Sequence, residues 1–194
     1  CGRRGSQVGL GGAEVGHPPS KFVELFRRCR ALGLRVVAHA GEEGPATYIC
    51  DALELLGAER IDHGVRCVED PQLVERLARE RIPLTVCPLS NIKLRVFDTM
   101  AAHNMATLMD AGLCVTVNSD DPAYFGGYLN QNFLEVFQAL PQLDARHAIQ
   151  LAKNSFDASF VSSEQKALWH NVECFDERTG ATLMNAGLRA PIRG

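Results

Sequence analysis

Short apolar runs alternate with longer amphipathic segments along most of this chain. The runs at 7–10, 35–38, 60–62, 83–87 and 113–117 are brief and apolar at their centres, the pattern of short strands. The segments between them place apolar residues at helical spacing. In "SKFVELFRRCRALG", Ser20 stands as an N-cap, Phe22, Leu25, Phe26, Cys29 and Leu32 fall on one face, and Gly33 supplies the stop. "ATYICDALELLG" puts Ile49, Ala52, Leu53 and Leu56 on one face, and "PQLVERLARE" opens with Pro71 in its first turn and turns Leu73, Val74 and Leu77 inward. "DTMAAHNMATLMDAG" and "DARHAIQLAKNSF" complete the helical set. A strand, a loop and a helix recurring every 20 to 30 residues or so predict βαβ units and a parallel sheet of five strands.

Composition narrows the class. With 194 residues and 46% hydrophobic content the chain is long enough for one large globular domain. The pattern assigns residues 7–176 to it, with 1–6 as a disordered or truncated start and 177–194 as a tail. A net charge of −3 with no basic run speaks against a nucleic-acid partner or an anionic membrane surface. No apolar stretch approaches the roughly 18 to 20 residues of a membrane span. Seven cysteines, an odd number with no CxxC pair, read as reduced thiols and predict a cytoplasmic protein. The glycine-rich "VGLGGAEVG" follows a strand, but Glu14 occupies the place of the last glycine in a G-x-G-x-x-G. His17, Pro18 and Pro19 then intervene before any helix begins, which excludes a dinucleotide cradle.

Polar residues gather just beyond the strands, where both a (β/α)8 barrel and an open doubly wound sheet keep their sites. Four stretches carry them: "VVAHAGEEG" with His39 and Glu42, "RIDHGV" with Asp62 and His63, "LTVCPLSN" with Ser90 and Asn91, and "NSDDP" with Asp120 and Asp121. Each has a plain structural reading. A single His at a strand end is more often hydrogen-bonded structure, Asp62 pairs readily with Arg60 or Arg66, "CPLSN" is built of turn formers, and Asp120-Asp121-Pro122 resembles a helix start. Cys87, in an apolar strand before Pro88, reads as core rather than nucleophile, and His17, His103, His147 and His170 read as loop or polar-face residues. Taken together the four stretches say more. In a parallel barrel all strand C-termini converge on one rim, so imidazoles and carboxylates meet in one cavity, a donor set suited to a divalent metal such as zinc. Two adjacent aspartates then have separate tasks, one on the metal and one on the substrate.

The order and spacing of "HAGEEG", "RIDHGV", "VCPLSN" and "NSDDP" resemble the adenosine deaminase family of zinc-dependent (β/α)8 hydrolases over about residues 7 to 175. "EVGHPPSKF", "VCPLSNIKL" and "NSDDPAYFGGY" look more like its adenine deaminase branch than its nucleoside branch. The resemblance implies zinc as cofactor with His39 and Asp120 as ligands. It implies that Glu42 donates a proton to N1 of the purine as an activated water attacks C6, that His63 orients or deprotonates that water, and that Asp121 holds N7. It also places Gly12 against the substrate. The expected reaction is adenine to hypoxanthine and ammonia, with adenosine as the alternative substrate. A non-catalytic purine-binding remnant and another zinc hydrolase on the same barrel are the other readings.

The chain departs from the family pattern at two points. The family's first strand supplies an H-x-H pair, and no H-x-H occurs here. The five strands therefore correspond to the last five β/α units of a (β/α)8 TIM-type barrel, and the segment alone is expected to hold zinc weakly and to be inactive. Gly11 stands where the family usually has an acidic residue in the loop over the substrate.

Overall fold

A computed structural model describes residues 7–170. The expected start at 1–6, the domain's last residues 171–176 and the tail at 177–194 lie outside the described residues.

Five strands form one sheet: β1 (Gln7–Leu10), β2 (Arg35–Ala40), β3 (Arg60–His63), β4 (Pro83–Val86) and β5 (Cys114–Val117). All neighbours are parallel and the spatial order is the sequence order. A doubly wound sheet reverses its order at a switch point. Among the described strands there is no reversal, so the winding is that of a barrel wall. The helices are α1 (Val23–Ala31), α2 (Ala46–Asp51), α3 (Pro71–Glu80), α4 (Pro88–Lys93), α5 (Met105–Asp110), α6 (Pro122–Phe125), α7 (Leu129–Ala139), α8 (Ala145–Ala158) and α9 (Ser163–His170).

The strand alternation sorts the two faces. Val36, Ala38, Ala40, Ile61, Leu84, Val86, Val115 and Val117 join Phe26, Ile49, Leu56, Leu77, Leu108 and Leu151 in a continuous apolar core. The opposite face carries a polar row, because the register sets His39 beside Asp62, Asp62 beside Thr85 and Thr85 beside Thr116. Partners in a parallel register point the same way, so the row is a consequence of period-2 alternation in four separate strands.

Helix ends follow ordinary capping rules with one correction. Asp70 caps α3 through Gln72 N and Leu73 N, and Asp144 caps α8 in a capping box with His147. Ser20 is not a cap: a 3-10 turn over Pro19–Phe22 precedes α1, whose N-cap Phe22 has no side-chain hydrogen bond to offer. That extra turn rotates the face, so Phe26 is buried while Leu25 and Leu32 lie in solvent. "CPLSN" is more than a turn, since Pro88 opens α4. β2 and β3 also run further than their apolar stretches, to Ala40 and His63, and so carry the site histidines within their last turns of ladder.

Candidate active site

The end of β2 presents His39. Its Nδ1 lies 3.0 Å from the Leu10 carbonyl and 3.5 Å from Asp62 Oδ2. With Nδ1 donating, Nε2 keeps a lone pair for a ligand, the arrangement that orients metal-binding histidines. Asp62 in turn accepts the Thr85 hydroxyl at 2.5 Å. The Asp62 contact holds the His39 pKa above its usual value. Burial pushes the Asp62 carboxyl up, but hydrogen bonds from His39 and Thr85 outweigh it and leave the group below the usual carboxylate range. Arg60 approaches Asp62 only to 3.8 Å, and Arg66 binds Glu69 instead. The polar row is thus a support for His39.

Glu42 follows two residues past the strand, in a loop gripped by one side chain. Buried Glu14 accepts the backbone N–H groups of Gly41, Glu42 (3.0 Å), Glu43 (2.7 Å) and Gly44 (2.8 Å). Four converging amide dipoles suit a carboxylate. Glu42 itself is only 6% exposed. Burial, and then the negative charge of Asp120, raise its carboxyl to about 7, so near neutral pH it holds a proton that an ordinary glutamate has lost. Asn91 Nδ2 donates to its Oε1 at 2.7 Å.

His63 and Asp120 reach the same space through strained backbone. By alternation His63 shares the parity of Ile61 and should face the core. Its φ of 68° breaks the alternation, and Asp120 at the end of β5 has φ of 48°. Left-handed backbone at a non-glycine residue costs on the order of 1–2 kcal/mol and clusters where function requires it. The turned His63 places its ring centroid 4.8 Å from that of His39 and its Nδ1 3.1 Å from Glu42 Oε1. That Nδ1 is buried without an aligned hydrogen-bond partner. Burial, and then His39, bring the His63 pKa down to about 4, so the ring is neutral at pH 7.

His63, Cys87 and Asp120 each offer a ligand atom within 4.8 Å of the others. Cys87 is the weak member: burial, with Asp120 and Glu42 nearby, pushes its thiol far up, and Sγ donates to the Thr85 carbonyl. The imidazole nitrogens of His39 and His63 and the Asp120 carboxylate are N and O donors of the kind zinc takes, and His63 Nδ1, 3.1 Å from Glu42 Oε1, has no aligned hydrogen-bond partner. Asp121 is exposed, with Oδ1 capping α6 through Ala123 N, and its own N–H bonds to Asp120 Oδ1. Gly12 lies on the wall of a cavity of about 250 Å³ shared with Leu10, His17, Phe22 and His39. Its φ of 102° and empty surroundings leave open backbone facing that space. Gly11 packs over the His39 ring, and a Cβ there would stand 3.5 Å from it.

Three features escaped the sequence reading. Glu14 looked like a failed glycine, although a lone acid in a glycine-rich loop was a usable signal. Asn91 was visible only as a turn former. His103, read as a loop residue, is 3% exposed and stands behind Asn91; nothing local distinguishes it from His147, which completes the α8 cap.

The adenosine deaminase family profile matches residues 4–173. Adenine deaminases of Trichlorobacter lovleyi and Geotalea uraniireducens are 67% and 62% identical over 162 residues, 84% of this chain and 46% of theirs. The crystal structure of an adenine deaminase from Arthrobacter aurescens superposes with a TM-score of 0.81 at 52% identity, covering 84% of this chain and 50% of that one. A zinc-bound amidohydrolase from Burkholderia ambifaria follows at 0.77 and 30% identity, covering 84% and 46%. The chain spans about half the length of the curated relatives it matches. By profile and by identity, this chain belongs to the adenosine deaminase family.

Proposed function

We propose that this chain supplies the C-terminal half of a zinc-dependent adenine deaminase centre, converting adenine to hypoxanthine and ammonia. The observation that carries the reading is Glu42, a buried carboxyl held near neutrality beside His63 and Asn91 at a rim that also gathers His39 and Asp120. Zinc, when bound, supplies a Lewis acid that lowers the pKa of water to about 7. His39, through Nε2, and Asp120 are the residues that would hold it, with the H-x-H of the family's first strand completing the set.

The chain's other groups take the proton and orientation tasks. Glu42, its carboxyl raised to about 7, is still protonated in a large share of molecules at neutral pH and gives that proton to the ring nitrogen N1, so that C6 becomes a better electrophile. His63, neutral at pH 7, accepts a proton from the attacking water or fixes its direction. Asp121, with Oδ2 free of the cap, holds the ring at its N7 edge, and Gly12 lets the ring approach the backbone closely. Water adds to C6, the proton taken by His63 passes to the amino group, the C6–N bond breaks and ammonia leaves, and the remaining hydroxyl proton restores Glu42. Adenine is preferred over adenosine because the relatives at 67% and 62% identity are adenine deaminases. The purine base is the small-molecule partner. A reducing, cytoplasmic setting fits the five described cysteines, all free. Among the described residues no helix is long and apolar enough to cross a membrane.

The test is a chimera in which this chain replaces the matched 162 residues of the Trichlorobacter lovleyi protein, assayed for ammonia release from adenine and adenosine. Release from adenine alone supports the reading. Preference for adenosine overturns the substrate, and no release from either, with normal folding and zinc content, favours a purine-binding remnant. The 194-residue chain by itself is expected to bind zinc weakly and to release no ammonia, because it offers too few ligands.

A further inference from the structure

Behind Glu42 lies a short chain of hydrogen bonds whose direction is fixed by its far end. The Met105 backbone N–H donates to His103 Nδ1 at 3.1 Å. A peptide nitrogen can only donate, so Nδ1 carries a lone pair and the ring's single proton resides on Nε2. Nε2 lies 3.2 Å from Asn91 Oδ1. That contact makes Oδ1 the acceptor and leaves Nδ2 as the group facing Glu42 Oε1, at 2.7 Å. A flipped amide would put two donors against each other at His103, and at Glu42 it would face two acceptors unless the proton sat on Oε1. Asn91 is fully buried and His103 and Glu42 nearly so, which makes either mismatch expensive. Burial also lowers the His103 pKa to about 4, so the tautomer persists across neutral pH.

We propose that His103 is a positioning residue for the acid Glu42. Through Asn91 it reserves Oε1 as an acceptor, so the transferable proton of Glu42 resides on Oε2. The inference deepens the deaminase reading and rests on its assignment of Glu42 as proton donor. No bond is made or broken in the relay itself; it selects one oxygen and one rotamer. The anchor is independent of the metal site: Phe97 packs 4.5 Å from the His103 ring, and Asn104 Nδ2 ties the same loop to the Val65 carbonyl at 2.8 Å. The loop between α4 and α5 thus reaches Glu42 from behind through Asn91, while its residues 94–97 share a cavity wall with Glu42 and Glu43.

The test separates the relay from the activity. In the ¹⁵N-labelled chimera, nuclear magnetic resonance should find His103 neutral and protonated at Nε2 at pH 7, with the Asn91 side-chain N–H slow to exchange. His103→Leu should speed that exchange at least tenfold, and His103→Gln, whose amide also offers a donor and an acceptor across one carbon, should largely restore it. In adenine turnover by the same chimera, His103→Leu should lower kcat about 10- to 100-fold with KM within twofold, and His103→Gln should recover most of the loss. An Nδ1-protonated or charged ring, or an exchange rate unmoved in His103→Leu, overturns the proposal. So does an equal loss in the Leu and Gln variants, which marks a purely structural histidine. A chimera that releases no ammonia sinks the deaminase reading, while the tautomer and exchange results still decide the relay.

Discussion

The two ends of the sheet are built on opposite terms. At the N-terminal ends of β2 and β3, the charges are mostly paired or stacked, although Arg60 Nε is buried without an aligned partner. Arg35 meets Glu59 at 2.6 Å with both side chains about 40% exposed. The guanidinium groups of Arg35 and Arg60 stack 4.0 and 4.5 Å over the Phe160 ring, and Arg60 donates to the Ala158 carbonyl. At the C-terminal ends, polar groups are buried in company that leaves them unsettled. Glu42 holds its proton near pH 7, His63 has a nitrogen without a partner, and two non-glycine residues sit in left-handed backbone. One end is arranged for stability and the other for reactivity. The barrel permits this because all its strands point one way, so the loops that vary chemistry share a rim while the opposite rim can be closed with ordinary ion pairs.

Substitutions at the two ends should therefore differ in kind. The largest effect expected is from Glu42→Gln in the chimera: kcat for adenine falls about 10²- to 10⁴-fold while the thermal midpoint hardly moves, because Gln imitates the protonated carboxyl. Comparable losses of kcat and of stability would mean that the rim is as structural as the base. Next is acid sensitivity behind the rim. His103 titrates at about 4 when folded against about 6.5 when unfolded, so between these values the unfolded chain binds the extra proton. Its stabilising contribution is complete above pH 6.5 and drains away toward pH 4, by about 3 kcal/mol. Urea midpoints at pH 7 and pH 5 should fall in the native chain and fall less in His103→Gln.

A smaller effect sharpens the trade between strain and function. Asp120→Gly relieves the left-handed backbone, and stability should hold or rise by about 1 kcal/mol while zinc affinity in the chimera drops at least tenfold. A clear loss of stability on chemical denaturation would show that the aspartate earns its conformation structurally. The smallest is at the far end: Arg35→Ala should lower stability by about 1 kcal/mol, through the exposed ion pair and the stack on Phe160, with kcat unchanged. A change in kcat there would tie the two ends together.

Much of the fold was legible in periodicity. β1 appears with the ends expected of it, and the other four strands differ by one or two residues, because apolar runs mark where a strand is covered and not where its ladder stops. α3 was legible down to its first-turn Pro71 and buried Leu73 and Leu77. The α1 face was misjudged because a 3-10 turn rotates the register by a fraction of a turn, a shift invisible to spacing alone. In the candidate site, His39 and His63 were legible at strand ends and Glu42 and Asp120 just beyond them, each in a short motif; the structure brings the four near one another, while their roles belong to the proposal. Asp121 lies exposed just past β5 and Gly12 just past β1, and their contact with a ligand is part of the proposal.

What the sequence determined by itself is local: five short apolar runs, the helices between them, and a set of imidazoles and carboxylates displayed just after the strands. Chain connectivity alone obliges such groups to share a rim once the strands lie parallel. The tertiary structure decided which of them act on which. Glu14 meets the 41–44 amides across 27 to 30 residues, Asn91 meets Glu42 across 49, and the polar row crosses four strands. Local sequence can state that a donor exists, but the depth of its burial and the identity of its acceptor are set by packing, and those two quantities fix the protonation of Glu42 and the orientation of Asn91.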